Sequence, residues 1–359
     1  MGSQAGSLAL LRGLLEHFSP TGQEEAAAAY LVGWMQAAGL TSFIDEVGNA
    51  VGIKGEGPNQ IVLLGHIDTA PGEIAVQQEG DVLWGRGAVD AKGPMACFAA
   101  ATAPTVIAPG WQMVVIGAVG EEGDSRGAKF ALSQYRPRMT VIGEPSGWDR
   151  ITLGYKGSVW AEFRITQPMA HPAAGVETAC EKSVAFWSRV TAWAGVQNHD
   201  QPRVFDQVSP SLRSMGSRSD GFSQTAQLSL NMRIPPHLTP DFFQNNLHEL
   251  AGDGELVILD SIPAYRAEKN TPLVRALLAA IRRHGGKPVF NVKSGTSDMN
   301  LVGPVWSCPM LAYGPGDSEL DHTPNEHIAI PEYLAGIEIL TDTLEALTST
   351  AAGDSLLEG

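Results

Sequence analysis

Three apolar runs in this chain each end in residues that can do chemistry. Ile61–Leu64 is continuous and apolar and is closed by Gly65, which predicts a strand buried on both faces. His66 and Asp68 stand just beyond it. Residues two apart in extended chain share a face, so an imidazole and a carboxylate project together there. Asp90 follows in a turn flanked by Gly85, Gly87 and Gly93, residues that let backbone come close to a ligand. A second run, Gln112–Val119, leads into Gly120-Glu121-Glu122-Gly123, and a third, Thr140–Gly143, leads into Glu144. In open α/β sheets the carboxyl rim of the strands is where sites form. An imidazole and several carboxylates gathered on one rim are what a hard-to-borderline metal cation needs.

Composition narrows the classes this chain can belong to. Its 359 residues exceed one typical core, so two domains are expected. A hydrophobic share of 43% with 18% charged residues suits a soluble globular protein, and no apolar run is long enough for a membrane span. The net charge of −15 argues against nucleic acid or an anionic membrane as the main partner. Cys97, Cys180 and Cys308 are odd in number and widely spaced in apolar settings, which reads as buried thiols. The N-terminal stretch has helical spacing and no basic start, so it reads as a first helix and not a signal peptide.

The elements that must hold the rim are legible in the periodicity. Leu8–Phe18, Glu24–Ala38 and the small, apolar Pro94–Ala103 read as helices; Phe43–Val47 and Ala50–Lys54 read as strands. The texture changes near Gly154. Gly154–Gln167 and Thr225–Ile234 alternate as half-exposed antiparallel strands should, with helices at Gly175–Ala194 and Pro240–Leu250 and a last strand at Glu255–Ile262. Strand, helix, strand, helix, strand is a small α+β layer, inserted over 154–263, whose exposed strand edge would suit pairing with a second copy. The α/β pattern resumes with a helix at Pro272–His284, strands at Pro288–Val292 and Cys308–Tyr313, and a closing helix at Pro331–Leu347. Ser294–Asn300 reads as a polar loop, and the tail beyond Leu347 is expected to fray.

In this order, HIDT at His66–Thr69, GRGAVDAKG around Asp90, Glu121-Glu122, Glu144-Pro145-Ser146 and His322 in HTPNE resemble the M20 family of di-zinc metallopeptidases and deacylases. The resemblance covers nearly the whole chain. It implies an α/β, doubly wound, zinc-exopeptidase-like catalytic domain (1–153 and 264–359) carrying an inserted α+β, ferredoxin-like dimerisation domain (154–263). It also implies two divalent metal ions, zinc foremost, with cobalt or manganese as alternatives. His66 and Glu144 would bind one, Glu122 and His322 the other, and Asp90 would bridge them. Asp68 would orient the His66 ring, the Asp90–Ala91 peptide would be cis, and Glu121 would be the general base. His327 competes with His322 for the late ligand position, and the match of HTPNE favours His322.

Other roles follow from the same resemblance. His171, in MAHPAAG, would reach the partner subunit's active site to stabilise the tetrahedral oxyanion; a surface histidine is the alternative. Arg233 would clamp a substrate carboxylate with its planar fork, against an ordinary surface arginine. Gly295, Thr296 and Ser297 would offer backbone and hydroxyl groups to substrate, or form a plain surface loop. EPSGW (Glu144–Trp148), LGYKG (Leu153–Gly157) and SGTSDMN are similar to the subgroup that hydrolyses lysine or ornithine from the carrier protein LysW in lysine and arginine biosynthesis. The implied substrate is a LysW-type conjugate or an N-acylated basic amino acid, the implied assembly a cytoplasmic homodimer. A deacylase of the N-acetylornithine or succinyl-diaminopimelate type, or a dipeptidase, is the alternative on the same site. A silent scaffold with this fold and a two-metal phosphoesterase are the remaining rivals.

Overall fold

The computed structural model describes residues 4–349. The tail expected to fray lies, beyond Ser349, outside the described residues. The chain divides into two compact units. One comprises the chain up to Gly154, Ala267–Asn291 and everything from Ser297; the other comprises Tyr155–Arg266 and Val292–Thr296.

In the first unit, strands Thr41–Ile44, Ala50–Lys54, Trp111–Ala118, Asn59–His66, Met139–Gly143, Met310–Tyr313 and Arg150–Tyr155 lie side by side in that order. The four from Trp111–Ala118 to Met310–Tyr313 run parallel. Ile61, Val62, Leu63 and Leu64 are all fully buried. Successive side chains point to opposite faces, so both faces of this sheet are covered, as a doubly wound arrangement requires. The helix Lys92–Thr102 is buried along its whole length. Gly93 permits this, because a Cβ there would run into the Ala88 carbonyl. The Lys92 ammonium, fully buried, donates to the carbonyls of Leu14 (3.0 Å) and His17 (2.8 Å), tying this helix to the end of the helix Gln4–Glu16. Burial pulls the Lys92 pKa down to about 7.

The second unit is a four-stranded antiparallel sheet, ordered Ser209–Ser219, Ser223–Ile234, Gly157–Pro168, Glu255–Ile262, with helices Ala179–Gln197 and Pro240–Ala251. In chain order this is strand-helix-strand-strand-helix-strand, the ferredoxin-like sequence of elements. Its core centres on Phe163 stacked on Phe186, ring centroids 4.0 Å apart, with Val190, Leu228, Leu230 and Phe243 around them.

Several boundaries differ from the periodicity reading, each for a physical reason. The strand Ser209–Ser219 is absent from the expected three-stranded layer because it is a polar edge strand, exposed on both faces over its second half, and carries no alternation. Gly154–Gln167 is not one strand but the last two residues of Arg150–Tyr155 followed by Gly157–Pro168 short of its final residue. The first strand spans Thr41–Ile44, shorter than Phe43–Val47 implied, because Asp45 accepts from the backbone of Val47 and Asn49 and turns the chain. The helix expected from Gly175 starts at Ala179, where Thr178 and Glu181 form a capping box. The polar loop 294–300 runs straight into a helix, Met299–Trp306.

Phe186→Ala should remove a stacked, fully buried ring from the second unit's core and cost about 3–5 kcal/mol of stability. Urea denaturation followed by tryptophan fluorescence measures this. A loss below about 1 kcal/mol would mean that the ring is not the centre of that core.

Candidate metal centre

Parallel pairing brings the chemistry to one rim. His66 is the last residue of its strand and pairs with Ala118, so the chain that follows Ala118 delivers Glu121 and Glu122 beside it. Gly65 pairs with Gly143 on the other side, and Glu144 comes next. Asp90 sits on the turn that opens the buried helix, with its Asp90–Ala91 peptide cis. His322 arrives on the loop that follows the parallel strand Met310–Tyr313, its backbone in the left-handed region at φ 59. A non-glycine residue held there costs of order 1 kcal/mol and persists only where surroundings demand it.

The side chains converge in two groups that share Asp90. His66 Nε2 lies 3.1 Å from Asp90 Oδ1 and 3.9 Å from Glu144 Oε1. His322 Nε2 lies 3.0 Å from Asp90 Oδ2 and 2.7 Å from Glu122 Oε1. Each oxygen of Asp90 therefore faces a different histidine. Asp90, Glu122 and His322 offer atoms all within 4.8 Å of one another. Two donors on one tetrahedral zinc sit roughly 3.4 Å apart, given bond lengths of about 2.1 Å. The donor types and these spacings fit divalent cations held by nitrogen and oxygen.

His66 Nδ1 faces the Asp68 backbone carbonyl at 3.0 Å and the Asp68 carboxylate at 3.5 Å. A carbonyl only accepts, so Nδ1 carries a proton, and Nε2, which faces the rim, is the nitrogen whose lone pair a cation would take once its own proton leaves. The Asp68 carboxylate has a second task. It accepts from the backbone N–H of Glu121 and of Glu122, both at 3.1 Å, and from the Thr21 hydroxyl at 2.8 Å. Asp68 thus fixes the pair of glutamates while its backbone orients the imidazole. Adjacent side chains point apart, which leaves Glu122 Oε1 on His322 and Glu121 Oε2 at 4.0 Å from His66 Nε2.

The electrostatics are those of a crowded acidic rim. Burial raises the Glu121 pKa well above the usual carboxylate range, with Glu144, Asp298 and Asp90 adding to it against His66. Burial acts on Asp90 in the same sense, but hydrogen bonds to His322 and His66 hold it below the usual range. Burial alone would depress His66, yet bonds to Asp68 and Asp90 and the charge of Glu121 carry it well upward. Bonds to Asp90 and Glu122 push His322 up to about 10. In each case the protonated imidazole stands where cationic charge is wanted.

One residue of this neighbourhood escapes a sequence reading. Asp298 is 3% exposed, its Oδ1 has no hydrogen-bond partner among the described residues, and burial raises its pKa to about 7. A single Asp in a polar loop carries no signal of burial; only the tertiary structure sets it near Glu121 and His66. Ser297, its neighbour, is also buried in the first unit. His171, Arg233, Gly295 and Thr296 belong to the second unit. There Arg233 Nη1 donates to Thr296 Oγ1 at 3.3 Å, and His171 stands on an exposed turn, its Nδ1 accepting from Ala173 N–H at 3.2 Å. His327 does not join the rim: its ring packs at a tilt of 36° against Trp84, and Nδ1 contacts the Asn325 carbonyl.

A cation that took His322 Nε2 as a ligand would displace its proton. With its pKa raised from 6.5 to about 10, His322 stabilises the metal-free fold fully below pH 6.5, and that stability is lost as pH rises through about 10. Metal affinity should run the opposite way, climbing with pH across the same window. Calorimetric titration of chelator-stripped protein in buffers of different ionisation enthalpy should show net proton release; a heat independent of buffer would contradict the protonated His322.

Residues 62–346 match the family model described as Peptidase family M20/M25/M40. The chain is 43% identical over 347 residues to the [LysW]-lysine hydrolase of Deinococcus radiodurans, covering 94% of this chain and 96% of that protein. It is 28% identical over 320 residues to the [LysW]-lysine/[LysW]-ornithine hydrolase of Saccharolobus islandicus, with 86% and 90% covered. Its fold is similar to that of Sso-CP2, an M20 family metallo-carboxypeptidase from Sulfolobus solfataricus, at a TM-score of 0.76 and 17% identity, covering 94% of this chain and 98% of that one. A family match over most of the chain, on a rim where two histidines share one aspartate between them, identifies this chain as a member of peptidase family M20/M25/M40.

Proposed function

We propose that this chain hydrolyses the amide joining lysine or ornithine to a LysW-type carrier protein, with two zinc ions on the rim described above. The names of its relatives support the substrate class. The observation that carries the chemistry is Asp90, whose two oxygens face His66 and His322 separately. His66 and Glu144 would hold one ion, Glu122 and His322 the other, and Asp90 both. When bound, such ions supply an acidified water and polarise the scissile carbonyl. Glu121, free of the ligand set, takes a proton at Oε2 and passes it to the departing amine.

The second unit serves substrate and assembly in this reading. Arg233 grips the carboxylate of the released amino acid, with Gly295, Thr296 and Ser297 as neighbouring contacts. The inserted segment 154–263 pairs with a second copy, an idea favoured by the exposed edge strand Ser209–Ser219. In such a homodimer His171 donates to the oxyanion in its partner's site. No helix among the described residues is long and apolar enough to cross a membrane.

A panel of carrier-peptide–lysine and carrier-peptide–ornithine conjugates, N-acetyl-lysine, N-acetylornithine, N-succinyl-diaminopimelate and dipeptides, assayed after zinc or cobalt loading with a chelator control, tests this directly. The carrier conjugates should be turned over best. Preference for a free acyl amino acid or a dipeptide would replace the carrier reading with one of its alternatives. Glu121→Gln should lower kcat by roughly 10²–10⁴-fold at unchanged metal content; retained turnover would remove it from proton transfer. His171→Ala should likewise keep its metal and lose roughly 10²-fold or more in kcat, and an undiminished rate would take His171 out of the reaction.

A further inference from the structure

The bridging aspartate is itself held by a carboxylate that touches no candidate ligand side chain. Glu326 is completely buried. Its Oε1 accepts from three backbone N–H groups of one turn: Gly87 at 3.0 Å, Val89 at 2.9 Å and Asp90 at 3.0 Å. Its Oε2 accepts from Arg86 Nη1 at 2.8 Å, and Arg86 Nε in turn donates to the Gly72 carbonyl at 2.9 Å. The turn's own backbone bonds run from Ala88 N–H to the Gly85 carbonyl at 3.0 Å and from Gly93 N–H to the Gly87 carbonyl at 3.2 Å, so the N–H groups of Gly87, Val89 and Asp90 are the ones Glu326 takes. One oxygen gathering three donors within four residues fixes the rest of the turn.

Glu326 also stands four residues after His322, at the start of the strand His327–Ala329. That strand pairs with Val82–Trp84, just before the Asp90 turn, in register His327 to Trp84. The loop that carries one histidine and the turn that carries the shared aspartate are therefore clamped by the same residue. We infer that Glu326, braced by Arg86, is a positioning residue that sets Asp90 against His322 and so tunes metal binding on the rim. It acts through the backbone of its neighbours, as supporting partners of metal ligands do, whose loss costs roughly 10–100-fold in metal affinity.

Glu326→Gln keeps an oxygen for the three N–H groups but turns an amide toward Arg86 and removes the charge. The zinc dissociation constant, read by competition with a chromogenic chelator, should weaken roughly 10–100-fold. The visible absorption of the cobalt-loaded protein should shift, because Asp90 moves relative to His322. Thermal unfolding of the metal-free protein separates a loss of general stability from this effect. Unchanged zinc affinity and an unchanged cobalt spectrum, even with a lower Tm, would overturn the inference and leave Glu326 a strut of the fold. If Glu326→Gln does not fold, Arg86→Lys decides: it keeps the three backbone bonds and loses the brace to Gly72, so zinc affinity should fall in the same direction by less. Affinity equal to the parent's would again overturn the inference. The inference rests on the metal centre and not on the carrier substrate: a parent protein that binds neither zinc nor cobalt would sink the metal reading itself, a different result from a parent that binds and a Glu326→Gln that binds equally.

Discussion

Repulsion among carboxylates is the constraint to which the rest of this structure answers. Asp90, Glu121, Glu122 and Glu144 crowd one rim, with Asp68 and Asp298 buried close behind them. In water such groups would move apart. Here they cannot, because each is carried by an element whose own position is decided by burial. Their ion pairs are with two histidines, and both imidazoles are drawn toward the protonated state as a result. A rim that makes cations of its histidines is one that divalent ions can take over, since they supply more charge at the same points.

Holding such a cluster together needs stiffness, and the parallel sheet supplies it. Strands with fully buried residues on both faces have no freedom to slip, because a one-residue shift would turn every side chain to the other face. The register of His66 with Ala118 and of Gly65 with Gly143 sets the spacing of the acids that follow. Beyond the strands, buried carboxylates do for the turns what the ladder does for the sheet. Asp68 gathers the N–H groups of Glu121 and Glu122, and Glu326 those of Gly87, Val89 and Asp90. Both are acids used as backbone templates, next to acids that face the rim. The distinction lies in what surrounds each one, and residue type does not announce it.

The second unit follows a different logic. Its central strands alternate, its core is aromatic and aliphatic on one face, and its edge strand Ser209–Ser219 is left polar and open. Its sheet is covered by helices on one face and so carries a core of its own.

The elements that were readable from residue order were those with a repeating pattern and a clear end. Ile61–Leu64, Gln112–Val119, Thr140–Gly143 and the residues behind them were legible because apolar runs that stop abruptly at polar residues have few alternatives to a buried strand and its rim. The order of HIDT, GRGAVDAKG, the Glu121-Glu122 pair and HTPNE pointed to the family through local strings alone. What pattern could not supply was anything defined by a distant partner. The strand Ser209–Ser219 owes its existence to Ser223–Ile234 alongside it and not to its own polarity. Asp298 and Glu326 look in the sequence like solvated loop acids. They became buried because other parts of the chain closed over them, and burial is a property of the folded neighbourhood, which no residue carries by itself. The identity of the chemistry was thus written locally, in residue types at strand ends, while the division of labour among the acids was decided only by the tertiary structure, because hydrogen-bond partners and dielectric surroundings exist only once the chain has packed.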